Sequence, residues 1–261
     1  MRAFQRELPE AAGMVQSAVR TSWWIAQQWP RDPVPWICLM RLCCTRTPSV
    51  LGLCNDAPPE QEWLPRGPWE LLRQATQHAH LREAYHRMRQ FLADQPHVAF
   101  DFSRWAASRA PRGSPLLVLP LYARTEQYHW QRTRASTGEA RWLNPWRDSV
   151  TRGMAQEEAE RALSGWFDHR DHSREPTSHL DLSYLAYALW CCAEFTEGAR
   201  VFTELGPYMT RQPWVYESDE NGPTQTPEEA FTLARRQCLS YAANHRNPPP
   251  GRPRWPPHPD H

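Results

Sequence analysis

Apolar residues along this chain recur every three or four positions, and almost nowhere do they alternate with period two. Segment 11–29 places Val15, Val19, Trp23, Ala26 and Trp29 on one helical stripe, and Pro30 stops it. The run PRDPVPW then leads into a short apolar helix near 35–45. Residues 46–66 have no clear period and contain four prolines, so they read as a long loop. Beyond them the stripes are regular. Leu81, Tyr85, Met88 and Leu92 form one, and Phe102, Trp105, Ala106 and Arg109 the next, ended by Pro111-Arg112-Gly113. Ala155, Ala159, Ala162 and Trp166 follow, then the polar stretch DHRDHSREPTS. Leu182, Leu185, Leu189 and Ala193 precede a short turn, after which come Phe195, Ala199, Phe202 and Leu205. A last helix near 227–243 carries Phe231, Ala234, Cys238 and Tyr241.

The helix starts carry their own punctuation. Gly67-Pro68-Trp69-Glu70 offers proline at the first helical position and Glu at the third. Ser114-Pro115 and Asn144-Pro145 make the same start with a side-chain cap, and Thr226-Pro227-Glu228-Glu229 is a capping box. The pattern predicts about eight or nine helices joined mostly by short loops, an all-α fold of stacked antiparallel helix pairs. One domain is expected over 1–246, with the loop 46–66 inside it. NPPPGRPRWPPHPDH at 247–261 cannot be helical and is expected to be a disordered, polyproline-like tail.

One stretch, LAYALWCCAEFTEGARVF at 185–202, has the layout of a tetratricopeptide unit. Ala186 and Ala188 are small residues in its first helix, Phe195 follows the turn, and Ala199 and Phe202 lie on the second. Ala193 stands where such units usually have Gly, and Gly198 where they usually have Ala. No clean second copy occurs, so the expected array is a degenerate one.

The order of segments carries a further resemblance. DPVPW at 32–36 is followed by AYHRMRQFL at 84–92 and FDFSRWAASRAPRGSPLLVLPLYARTEQ at 100–127. LAYALWCCAEFTEGARVFTELGPYMTRQPW at 185–214 and EEAFTLARRQ at 228–237 complete the succession. This resembles a group of uncharacterised actinomycete proteins with tetratricopeptide-like helices, a domain of unknown function. The resemblance implies a fold and brings no known activity. Tyr85 and Arg124 stand where the group suggests histidines, while Glu126 fits its pattern. ADQPHVAF at 93–100 replaces a Lys-Trp-x-Gly-Ser-His-like turn.

Composition narrows the classes. All 30 basic residues are arginine and 29 acidic residues nearly cancel them, so no global field draws the chain to nucleic acid. Seven cysteines, with Cys43-Cys44 and Cys191-Cys192 adjacent and no Cys-x-x-Cys, read as buried structural thiols of a reducing compartment. The N-terminal residues lack the apolar core of a signal peptide, and PLLVLPLYA at 115–123 is too short to span a bilayer. A cytoplasmic protein is expected.

Candidate chemistry is sparse. Asp168-His169-Arg170-Asp171-His172 gathers possible metal ligands, but at a helix end running into a polar loop. His78, His80 and His86 do not share one helical face, so no metal site and no cofactor is expected. No nucleophile elbow or phosphate loop occurs. The 14 tryptophans are the outlier of the composition. Those on stripes (Trp23, Trp105, Trp166, Trp190) read as core, and others, among them Trp214, fall in loops or at helix starts. Trp142 and Trp146, flanked by Arg141 and Arg147, combine the residue types enriched at binding hot spots. The function expected is binding of a protein or peptide partner on a helical surface, with neither membrane nor nucleic acid as partner. The alternative is an accessory or tailoring enzyme of a biosynthetic cluster, its enclosed pocket lined by Tyr85, Arg124 and Glu126.

Overall fold

A computed structural model describes residues 4–58, 64–77, 81–134, 149–170, 178–218 and 226–246. The tail at 247–261 and the start at Asn144-Pro145 lie outside the described residues. The architecture is all-α, built of packed helix pairs, and among the described residues an isolated antiparallel bridge joins Asp56 and Gly67. The helices group into two compact units, Met1–Pro176 and Thr177–His261.

The first unit holds α1 (Phe4–Gln28), α2 (Pro33–Cys43), α3 (Trp69–Thr76), α4 (Arg82–Phe91), α5 (Pro96–Ser108), α6 (Leu119–Arg134) and α7 (Ser149–Gly165). Asp32 starts α2, its Oδ1 accepting the Val34 N–H at 2.9 Å. The expected loop 46–66 is more ordered than its prolines suggest, since Pro48–Leu53 forms a 3-10 turn. It also caps α3. Pro68 is the cap position and Trp69 the first helical residue, one step later than the sequence suggests, and Asp56 Oδ2 accepts the Glu70 N–H at 3.1 Å. Leu39, Met40, Met88, Leu92 and Phe102 are fully buried at the centre of this unit.

Two corrections concern tryptophan. Trp23 on α1 and Trp29 just past its end belong to the expected core stripe yet are exposed, whereas Ala26 between them is buried. A small residue makes the close contact, and the indoles flank it, Trp23 meeting Trp36 edge-on at 5.9 Å. Trp105 is only half-buried.

The second unit holds α8 (His179–Cys191), α9 (Phe195–Leu205), α10 (Val215–Ser218) and α11 (Pro227–Arg246). The capping box of α11 forms as its sequence dictates. Glu229 N–H donates to Thr226 Oγ1 at 3.2 Å, and Thr226 N–H donates to Glu229 Oε2 at 2.8 Å. Trp214, which the sequence leaves in a loop, is fully buried among Tyr187, Trp190, Phe202 and Phe231, with ring centroids 5.4–6.3 Å away. Gly198 is small because α9 passes close to α11: a Cβ there would stand 2.9 Å from Cys238 Sγ.

Candidate functional site: a cleft between two helices

The first unit contains a partly open cleft of about 480 Å³ between α5 and α7. Its walls are two helical ridges with the same spacing. Asp101, Arg104, Trp105 and Ser108 line one side, and Met154, Glu157, Glu158 and Arg161 the other. Both sets fall at i, i+3, i+4 and i+7, so each wall is one face of a helix over two turns, roughly 10 Å long. Ala107, Leu117 and Pro120 are apolar and buried, and form the floor.

Small residues set the spacing of the walls. Ala155, Ala159 and Ala162 are fully buried on the inner stripe of α7. At its end a Cβ on Gly165 would lie 2.6 Å from Leu117 Cδ1, and Gly165 C=O accepts the Gly113 N–H at 2.7 Å. Gly113 takes a φ of +84°, a region that glycine enters without strain. Ser114 then starts the 3-10 turn Pro115–Val118, its Oγ accepting the Leu116 N–H at 3.3 Å. The break after α5 thus brings the chain back beneath the cleft.

Charge is distributed on both walls. Asp101 and Arg104 stand on the α5 wall, opposite Glu157, Glu158 and Arg161 on the α7 wall. Glu158 is the anchor, buried and accepting from Arg124 Nε at 3.0 Å, with Arg104 Nε at 3.8 Å. The guanidinium carbons of Arg124 and Arg104 stand 4.9 and 5.8 Å from the centroid of the Phe100 ring. Glu157 and Arg161 are exposed on the rim, as is Met154 at 43%.

The three residues suggested for an enclosed pocket are placed in different surroundings. Tyr85, on α4, stacks against Phe102 with centroids 6.3 Å apart, and burial pushes its hydroxyl above its ordinary pKa, opposed by Arg109. Arg124 turns to Glu158 of α7, while Glu126 pairs with the buried Arg89 of α4. Residues two apart on a helix point to nearly opposite sides, which sends these neighbours to different partners. None of the three lines the cleft. Arg141, Trp142, Trp146 and Arg147 lie outside the described residues, as do His78, His80, Asp171 and His172. His86 is buried against Tyr122, and His169 Nδ1 lies 2.7 Å from the Ser164 carbonyl. Among the described residues no group of three or more His, Cys, Asp or Glu could hold a metal ion, and no helix is long and apolar enough to cross a membrane.

Sequence reasoning missed the cleft walls. The available signal was that α5 and α7 each carry a second face, beside the core stripe, on which charges mix with Trp105 or Met154. No protein family, curated protein or solved structure matches the chain.

Proposed function

We propose that the protein binds a short segment of a partner protein in the α5–α7 cleft. The observation that carries this reading is the pair of matched ridges, which hold charges of both signs on each side of an apolar floor. A segment two to four residues long fits: an apolar side chain on Leu117 and Pro120, a basic residue toward Glu157 and Asp101, an acidic one toward Arg161. Rim charges of this kind select orientation and partner more than they add raw affinity, and the apolar floor supplies the anchor.

The α8–α9 pair supports a repeat-like, tetratricopeptide-related reading of the helical pairs, in line with the sequence resemblance. Its first helix ends in a left-handed turn at Ala193, and its second crosses a neighbouring helix closely at Gly198. Helical arrays of that kind commonly serve as binding surfaces.

The test is selection of peptides from a random displayed library on the full chain. The reading expects an apolar residue flanked by one basic and one acidic position, and loss of the selected peptides with Arg161→Glu. Enrichment of sequences that bind equally well to Arg161→Glu would count against it.

A further inference from the structure

A second cleft, of about 450 Å³, opens beside the end of α2. Arg46 and Arg66 line it, and among the described residues no carboxylate does. The backbone brings these arginines together from segments distant in sequence. Arg46 closes the last turn of α2, its N–H donating to the Cys43 carbonyl at 3.1 Å, and takes a left-handed φ of 52°. Arg66 comes after the 3-10 turn Pro48–Leu53, where Asp56 exchanges two backbone hydrogen bonds with Gly67 at 3.0 and 3.1 Å. That exchange holds Arg66 beside Asn55, which also lines the cleft.

Each guanidinium is aimed by a backbone carbonyl. Arg46 Nη2 donates to the Phe91 carbonyl at 2.8 Å, and the group stands 4.8 Å from the centroid of the Phe91 ring. Arg66 Nη1 donates to the Asn55 carbonyl at 2.7 Å. A guanidinium carries its N–H donors in a planar fork, so an anchor at one nitrogen fixes the plane and leaves further donors for a ligand. Asp94 meets Arg46 Nε at 3.0 Å, but its side chain is 74% exposed, and an ion pair so open to water is a weak competitor. The rest of the lining is mostly apolar. Cys43 and Phe91 are buried, Leu51 is exposed, and the half-buried Cys54 turns its thiol to the Val50 carbonyl at 3.1 Å.

We propose that this cleft binds a small phosphate monoester, with Arg46 and Arg66 on the phosphate and Leu51 and Phe91 against an apolar or aromatic body. Charge favours phosphate over carboxylate. A monoester carries about −1.5 to −2 near pH 7 and offers three acceptor oxygens, which match two guanidinium forks. A carboxylate brings a single charge and fills one fork. Size favours a small molecule, since about 450 Å³ falls in the range of small-ligand clefts. The α5–α7 cleft is different in kind, because each of its walls carries both signs of charge.

The test is calorimetric titration of the full chain with phenyl phosphate, and with inorganic phosphate and benzoate at the same ionic strength. Phosphate salts stabilise folded proteins in general, so the heat of binding is the readout and the melting temperature is not. Phenyl phosphate is expected to bind saturably at one site, roughly tenfold or more tighter than either comparator. Arg66→Gln should weaken it by about tenfold. Arg66 is exposed, and its anchor is the carbonyl of nearby Asn55, so the fold does not depend on its charge. Arg46→Gln should weaken binding as well, and Arg66→Gln decides alone if that variant does not fold. Arg161→Glu, in the other cleft, should leave the affinity unchanged. Equal binding of phenyl phosphate and inorganic phosphate would mean an adventitious ion only and would overturn the proposal. So would the absence of saturable binding, benzoate bound as tightly as phenyl phosphate, or a loss confined to Arg161→Glu.

Discussion

Arg124 donates from Nε to Glu158 Oε2 at 3.0 Å, with the two side chains only 7% and 10% exposed. The pair ties α6 to α7 and fixes the carboxylate at the base of one cleft wall. Its two members are not equivalent. Removing Glu158 leaves the buried Arg124 guanidinium without its carboxylate, whereas removing Arg124 leaves Glu158 with Arg104 at 3.8 Å. Breaking a buried pair from one side typically costs about 3–5 kcal/mol. Glu158→Gln is therefore expected near that range and Arg124→Met below it, as read by urea denaturation of each variant. Equal costs, or a larger one for Arg124→Met, would contradict this account of the pair.

Ala193 adopts a φ of 64° at the end of α8. The turn there is a Schellman motif: Glu194 N–H donates to the Leu189 carbonyl at 2.9 Å, and Ala193 N–H to that of Trp190 at 3.0 Å. A Cβ in this conformation is strained, and glycine removes the strain while adding freedom to the unfolded chain. The net expectation for Ala193→Gly is stabilisation by about 0.5–1 kcal/mol, seen as a raised melting temperature. A lowered one would contradict the turn geometry.

His86 is held neutral. Burial pushes its pKa well below the ordinary value, and the guanidinium groups of Arg82, Arg89 and Arg87 act in the same direction. The unfolded chain binds a proton near pH 6.5 and the folded chain does not. The stabilising contribution is thus complete above that pH and is lost as the pH falls below it. The slope for one proton is about 1.4 kcal/mol per pH unit. Denaturation midpoints between about pH 6.5 and 5 should fall with acidity in the unaltered protein and less steeply in His86→Phe. Parallel profiles would show that His86 takes no part.

Much of the fold is legible from local chemistry. The Thr226–Glu229 box, the Ser114 cap and the alanine stripe of α7 each depend on residues within one or two turns, and each is found where the pattern puts it. What depends on packing between elements is not legible. Trp214 has no periodic neighbours in sequence, yet it is enclosed by rings from α8, α9 and α11. Ala193 continues the stripe of Leu182, Leu185 and Leu189, but it falls on the left-handed turn and is exposed. The cleft illustrates the same limit. Both of its walls are visible as helical faces, but their opposition depends on how closely α7 approaches the turn at 115–118, which Gly165 and Leu117 decide. Cys43 and Cys54 belong to segments that the sequence assigns to a helix and a loop, and only the path of that loop brings both to the lining of one cleft.

Binding of a peptide segment of mixed charge in the α5–α7 cleft can be read by calorimetric titration with a selected peptide and its charge-swapped counterpart. The unaltered chain should bind the first saturably, and Arg161→Glu should weaken it at least about tenfold, or about 1.4 kcal/mol. The counterpart, with its acidic residue replaced by lysine, should recover most of that loss on Arg161→Glu and bind poorly to the unaltered chain. Equal affinity of both peptides for both proteins would contradict binding in this cleft.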